Sequence, residues 1–216
     1  NRLRLCTGLA AIVVATTELQ NDDLIRDWCV RNRVECFRGS EEDVLDRYYR
    51  AAKKYNFSAV VRITADCPLI DPLVVDKLIS LFRIQKPDAI SLAGSFPDGL
   101  DCQIFSLNAL EKAWLKAELK SDREHVGTYI EKTNRQEFNI IGVELFENLG
   151  HHRWTLDEKA DFEFLTKLLE GLEKEKKVFY SDDIIEYLNQ NNHILNINAH
   201  ILRNDGYFRS VADEKK

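Results

Sequence analysis

The feature that most constrains this chain is a repeated alternation of short β-branched runs with amphipathic helical stretches. The runs are "AAIVVATT" (10–17), "VECF" (34–37), "SAVVRIT" (58–64), "DAISLA" (88–93) and "NIIGVEL" (139–145). They are too short for helices and too continuously apolar for half-exposed strands, which is the pattern of strands covered on both faces. Helical patterns separate them at about 22–32, 72–85, 107–118, 122–133, 158–173 and 181–190. A further one follows "GSEED", where Ser40 and Asp43 predict a capping box and Val44, Leu45, Tyr48, Tyr49 and Ala52 keep one apolar face. Over 216 residues this alternation predicts an α/β fold with a mostly parallel, doubly wound sheet, most simply as one domain spanning 1–216. Ligands of such sheets sit at the carboxyl ends of the strands.

Composition narrows the partners. A formal net charge of -6 gives no basic field to attract nucleic acid or an anionic membrane, and no apolar run approaches the 18 residues of a membrane span. Cys6, Cys29, Cys36, Cys67 and Cys102 are odd in number and form no Cys-x-x-Cys pair, which argues against a disulfide framework or a zinc site and for a reducing, cytoplasmic setting. His151, His152, His193 and His200 show no metal-ligand spacing. The start "NRLRLCTGLAA" lacks an initiating Met and reads as the last turn of a helix ending at Gly8, which suggests chain upstream of it.

The candidate site residues cluster after strands. In "VRITADCPLIDP", Asp71 before Pro72 is a ready helix cap, whereas Asp66 has no such duty. The period of two places Val60, Arg62, Thr64 and Asp66 on one side, with Asp66 just past the strand's carboxyl edge. Asp66 is either a turn-former bonding its own backbone or a group aimed at substrate. Arg62 within an apolar strand needs a carboxylate or a phosphate, and a structural ion pair would serve as well as a ligand. In "FPDGLDCQIF", Asp98 and Asp101 flank Gly99 ahead of a strand-like stretch that begins near Gln103. In "HHRWTLDEKADFEFL", Arg153 and Asp157 bracket a Trp-Thr-Leu step, and Asp157 is either a helix cap or a ligand. Two isolated acids after different strands suit Mg²⁺, which takes one or two carboxylates and completes its octahedron with water and phosphate oxygens.

These segments, with "GSEEDVLDRYYRAAKKY", "VVRITADCPLIDPLVVDKLI" and "SDREHVGTYIEK", resemble the spore coat polysaccharide biosynthesis (SpsF) type of cytidylyltransferase, related to the enzymes that make CMP-sialic acid and CMP-Kdo. The resemblance covers about residues 10–210. It implies a Rossmann-like nucleotidyltransferase fold, a homodimer with a dimerisation region around 100–150, CTP as donor, Mg²⁺ as cofactor, and a sugar or sugar acid as acceptor for surface polysaccharide. By motif position, Asp66 and Asp157 match the family's metal-binding aspartates, with Arg62 as a catalytic partner. Thr16, Gly39, Ser40 and Thr64 then fall on the nucleotide, and Asp101, Gln103, Arg123, His125 and Arg153 on the acceptor. Ser40 as a helix cap needs no ligand, and on pattern alone Arg123 with His125 reads more readily as an exposed first helical turn.

One family feature is missing from these residues: an opening strand followed by a loop bearing Gly, Arg and Lys, which cradles the triphosphate. Without it the chain is expected to be an inefficient enzyme. The strand at 10–17 is also expected to border an empty central position, which either an added strand fills or the sheet shows as a gap. Two other readings stay open. One is a related transferase using another nucleotide or a sugar 1-phosphate, and the other is a non-catalytic nucleotide-sugar binding module. The C-terminal "LRNDGYFRSVADEKK" reads as a polar tail or a dimer arm.

Overall fold

A computed structural model describes residues 1–176 and 178–203; most of the C-terminal segment lies outside the described residues. The alternation becomes β1 (Val13–Thr17), α1 (Asp23–Asn32), β2 (Glu35–Gly39), α2 (Val44–Lys54), β3 (Ala59–Arg62), α3 (Pro72–Gln85), β4 (Ala89–Ala93), β5 (Gln103–Ser106), α4 (Leu107–Lys116), α5 (Lys120–Glu124), β6 (Ile140–Glu144), α6 (Lys159–Glu175), α7 (Ser181–Gln190) and α8 (Asn192–Leu195). Strands β1 and β2 pair in parallel, and a second sheet runs β3-β5-β4-β6. There β4 and β6 are parallel, while β5 is antiparallel to both of its neighbours. The inversion follows from connection length: β4 and β5 are joined by a short loop with no helix, and a parallel pair needs a crossover.

The expected central gap is present. Among the described residues β1 pairs only with β2 and β3 only with β5. Residues of β1 and β3 line one cavity of about 420 Å³, together with Tyr48, Ala51 and Ala52 of α2 and Ile79 and Phe82 of α3. The main core packs Val75, Leu78, Ile90, Ile104, Trp154, Phe164 and Leu168 together, and Ile104 also borders the cavity.

Local chemistry explains most helix boundaries and corrects two. Asp71 caps α3 by accepting from Leu73 N at 2.8 Å, and its other oxygen accepts from Ser181 N at 2.6 Å, so one buried carboxylate holds the first turns of α3 and α7. The cap of α2 is Asp43, which accepts from Asp46 N at 2.8 Å; Ser40 lies earlier and accepts from Asp43 N at 3.0 Å, bracing the cap rather than forming it. The helix expected at 122–133 is broken into α5 and a π-helical turn at Tyr129–Thr133. Gly127 sits at the break, where a Cβ would meet Gln103 Nε2 at 2.8 Å and Glu131 Oε2 at 3.0 Å, so close approach to β5 replaces helical continuation.

Candidate active site

The carboxyl end of β3 turns at once. Cys67 N bonds Thr64 O at 3.3 Å, which swings Asp66 out past the strand. The segment at 152–156 then docks on this turn. Leu156 N donates to Asp66 O at 2.8 Å, and Thr155 Oγ1 reaches the same carbonyl at 3.0 Å. The loop at 96–101 seals the other side, with Asp98 N bonded to His152 O at 2.9 Å and Trp154 N to Asp98 O at 2.7 Å. Gly99 allows that contact: its φ is +97°, and a Cβ would meet the Trp154 carbonyl carbon at 2.7 Å.

Three segments remote in sequence thus enclose a polar cleft of about 750 Å³. It is lined by Arg62, Thr64, Asp66, Asp101, Gln103, His125, Arg153 and Asp157, all singled out from the sequence, and also by Ser91, Glu131 and Thr155, which were not. Thr16, Gly39, Ser40 and Arg123 are not among the lining residues. Thr16 and Thr17 instead donate their hydroxyls to Asp22 at 2.6 Å. Arg123 is committed elsewhere, donating to the carbonyls of Ala117 at 2.9 Å and Trp114 at 2.8 Å and reaching Asp43 at 3.4 Å.

Thr155 stands between the two acids and has one hydroxyl proton to give, to one oxygen at a time. Its hydroxyl lies 3.1 Å from Asp66 Oδ2 and 3.5 Å from Asp157 Oδ2. Asp66 also faces the Cys67 thiol at 3.8 Å; burial and the Asp66 charge push that thiol up to about 12, so it stays a neutral donor. Asp157 is no helix cap: Glu158 caps α6 in a capping box with Asp161. Asp157 is positioned by Arg153 Nη2 at 3.0 Å.

Arg153 is the hub. Its guanidinium also binds Asp98 at 3.0 Å and Asp161 through two bonds of 2.9 Å. Burial pushes the Asp161 carboxyl up, but bonds from Arg153, Asn198 and the amides of Glu158 and Asp157 outweigh it and leave it below the usual carboxylate range. Asp98 goes the other way: burial and neighbouring Asp101 raise it against the pull of Arg203 and Arg153. Arg153 thus has its donors engaged by three carboxylates, which makes it a scaffold for Asp157 more than a free ligand clamp. Arg62, expected to need a carboxylate or phosphate, is partly buried and bonds the neutral Gln103 Oε1 at 2.8 Å.

Thr155 could have been singled out, since it stands two residues before Asp157 in the same motif. Glu131 could not, because its segment reads as the polar face of a helix until Gly127 breaks it. Among the described residues no group of three or more His, Cys, Asp and Glu side chains is placed to hold a metal, so a cation here would rest on the Asp66–Asp157 pair with other oxygens supplied from outside. Nor is any helix among the described residues long and apolar enough to cross a membrane.

The fold is that of the Rossmann-like nucleotidyltransferases, as its solved structural relatives show. The cytidylyltransferase family profile matches residues 1–197, and the chain belongs to that family. An uncharacterized protein of Methanocaldococcus jannaschii is 38% identical over 204 residues, covering 93% of this chain and 82% of the relative. The spore coat polysaccharide biosynthesis protein SpsF of Bacillus subtilis is 28% identical over 183 residues, covering 83% of this chain and 75% of its own. Among solved structures, a cytidylyltransferase from Leptospira borgpetersenii superposes with a TM-score of 0.84 at 33% identity, covering 90% of this chain and 82% of that one. The CMP:2-keto-3-deoxy-manno-octonic acid synthetase complexed with CTP shares the fold, with a TM-score of 0.54 at 14% identity over 81% of this chain and 86% of that one.

Proposed function

We propose that this protein transfers the cytidylyl group of CTP to a hydroxyl of a sugar or sugar acid, giving a CMP-sugar and pyrophosphate, in the biosynthesis of a surface polysaccharide. The observation that carries the reading is the convergence of Asp66, from the turn after β3, and Asp157, from the loop before α6, on either side of the Thr155 hydroxyl in one cleft. The family and the name of the SpsF relative support the nucleotide and the pathway class. The reading includes a homodimer in the cytoplasm.

In this reaction the acceptor oxygen forms a bond to the α-phosphorus of CTP while the bond from that phosphorus to the bridging oxygen of pyrophosphate breaks. Pyrophosphate leaves with the electron pair, and the acceptor's proton passes to water. No covalent enzyme intermediate is needed, so the chain's task is positioning and charge balance. Asp66 and Asp157 fit Mg²⁺, being hard oxygen donors at the mouth of a water-accessible cleft; the ion supplies neutralisation of phosphate charge when bound. Thr155 and Cys67 fix the Asp66 carboxylate, and Arg153 fixes that of Asp157. The turn at 64–67 and the loop at 96–101 form the walls that place both substrates.

The test is pyrophosphate release with Mg²⁺ and CTP, UTP, GTP or ATP against sugar acids, uncharged sugars and sugar 1-phosphates, using the protein as its gene encodes it. Release confined to CTP with a sugar or sugar acid supports the reading. Preference for another nucleotide, or use of a sugar 1-phosphate only, overturns it.

A further inference from the structure

The short stretch after α8 grips the cleft wall at both of its ends, and the chemistry above gives it no task. It runs from Asn198 to Arg203, past the last residue that the family profile matches. At its start Asn198 is fully buried, and its amide donates to the carbonyl of Arg153 at 2.9 Å and to Asp161 Oδ1 at 2.8 Å. With both amide hydrogens engaged, the start of the stretch is fixed. Ile201 N then turns back to Asn198 O at 3.1 Å, and Ile201 and Leu202 border the cleft.

The far end is held through one guanidinium. Arg203 Nη1 donates to Phe96 O at 3.0 Å, Nη2 donates to Asp101 Oδ1 at 3.0 Å, and Nε lies 3.4 Å from Asp98 Oδ1. The group also sits over the Phe96 ring, 4.2 Å from its centre. All of these partners belong to the loop at 96–101, which presses Gly99 against Trp154. Asp101 passes the restraint on, because its other oxygen accepts from Gly99 N at 3.1 Å. A fork that meets two carboxylates and a carbonyl fixes the shape of that loop in a way a point charge would not.

Asp98 links this latch to the reacting end of the cleft. One of its oxygens faces Arg203 and the other accepts from Arg153 at 3.0 Å. Burial and Asp101 raise the Asp98 carboxyl, and Arg203 opposes them ahead of Arg153. Without Arg203, the Asp98 charge would fall to Arg153 alone, which already pairs with Asp157 and Asp161. Asp157 has the weaker hold there: it accepts one bond from Arg153, whereas Asp161 accepts two.

We infer that residues 198–203 are a strap that sets the geometry of Asp157 from outside the substrate sites, with Arg203 as a positioning residue acting through Asp98 and Arg153. The inference rests on the transferase reading above, since only there does Asp157 govern rate. It gives the strap a role in turnover and none in holding CTP, so kcat should respond and KM for CTP should not.

The experiment compares the protein as its gene encodes it with Arg203→Gln, Arg203→Lys, Asp98→Asn and the Arg203→Gln, Asp98→Asn double variant. It reads pyrophosphate release from CTP with the acceptor panel above, CTP binding by calorimetry, and amide hydrogen exchange. Arg203→Gln is expected to lower kcat about tenfold, with KM and calorimetric affinity for CTP within about threefold of the unaltered protein. Exchange at the amides of Asp98 and Trp154, which tie the two segments together, should quicken about tenfold while the amides of β4 and β5 keep their rates. Arg203→Lys should recover part of the loss, because one ammonium can meet an aspartate but cannot also hold the Phe96 carbonyl. Asp98→Asn breaks the link itself, so adding Arg203→Gln to it should cost less than about twofold more. An unchanged kcat in Arg203→Gln, unchanged exchange at Asp98 and Trp154, or losses that multiply in the double variant would overturn the strap and leave the transferase reading standing. Equal losses in kcat, CTP affinity and the protection of β4 and β5 would overturn it too, by showing a general fold defect. No pyrophosphate release from the unaltered protein with any nucleotide would instead sink the transferase reading, and this inference with it.

Discussion

Two cavities in this molecule are opposite in kind. The one between β1 and β3 is mostly apolar, walled largely by alanines, valines and isoleucines, and it lies between two strands that do not pair with each other among the described residues. The cleft beyond the end of β3 is polar; Asp66 is held by Thr155 from a remote segment and Asp157 by Arg153 of its own. The same strand borders both, apolar along its length and chemical only past its end. The difference separates what the sheet does for stability from what it does for chemistry, so substitutions at the two places should fail in different ways.

The largest expected effect lies in the cleft. Asp66→Asn keeps the turn and the Thr155 contact but removes a hard anionic oxygen, so turnover should fall about 100-fold or more while the melting temperature stays within a few degrees. Retention of more than about a tenth of the activity, a barrier change under ~1.4 kcal/mol, would remove Asp66 from the chemistry.

Gly99→Ala should damage both fold and activity, because the new methyl meets Trp154 backbone at 2.7 Å and φ is positive. A loss above about 2 kcal/mol in denaturant unfolding is expected. A change below about 0.5 kcal/mol would show that the 96–101 loop can retreat without disturbing the cleft.

Ile79→Ala, at the wall of the apolar cavity, should cost about 2 kcal/mol, low for such a truncation because one side of Ile79 already faces a void. The folded fraction should keep its turnover per molecule. A selective loss of activity would show that the two cavities are not separable.

The effect that vanishes at neutral pH and grows only with acid is a pH dependence from His152, which is buried against Trp154. Burial and neighbouring His151 hold it down to about 4 from an ordinary 6.5. The unfolded chain therefore binds a proton that the folded chain refuses between those values, and stability should fall by on the order of 2 kcal/mol as pH drops through that window. Asp161 adds a second loss only below its ordinary 3.8, since its carboxyl is depressed. His152→Gln should flatten the slope between pH 6.5 and 4, and an unchanged slope would assign it elsewhere.

The elements were largely legible because each depends on local pattern. Asp71 before Pro72 announced its helix, and the β-branched runs announced five strands. The gap beside β1 was also foreseeable. What escaped depends on contacts between distant residues. Nothing in "CQIF" fixes the direction of β5, which is set by the short connection from β4. Both Ser40 and Asp43 are capping residues, and only the geometry decides for Asp43. In the site, Asp66 stood out because Asp71 already caps the next helix, and Asp157, open to a capping role, because a second acid after a strand suits a shared cation. Arg123 looked equally available, yet carbonyls of α4 and the segment after it absorb it. Glu131 and the engagement of Arg153 by three carboxylates follow from tertiary packing, which no spacing in the chain records.

The central claim is that Asp66 and Asp157, from opposite ends of the chain's alternation, act as one unit. A double-mutant cycle of Asp66→Asn and Asp157→Asn, read as kcat/KM for CTP at fixed Mg²⁺, tests it most directly. The account predicts that the double variant is little worse than the worse single one, with a coupling energy above about 1 kcal/mol. Losses that simply add would contradict it and give the two aspartates separate work.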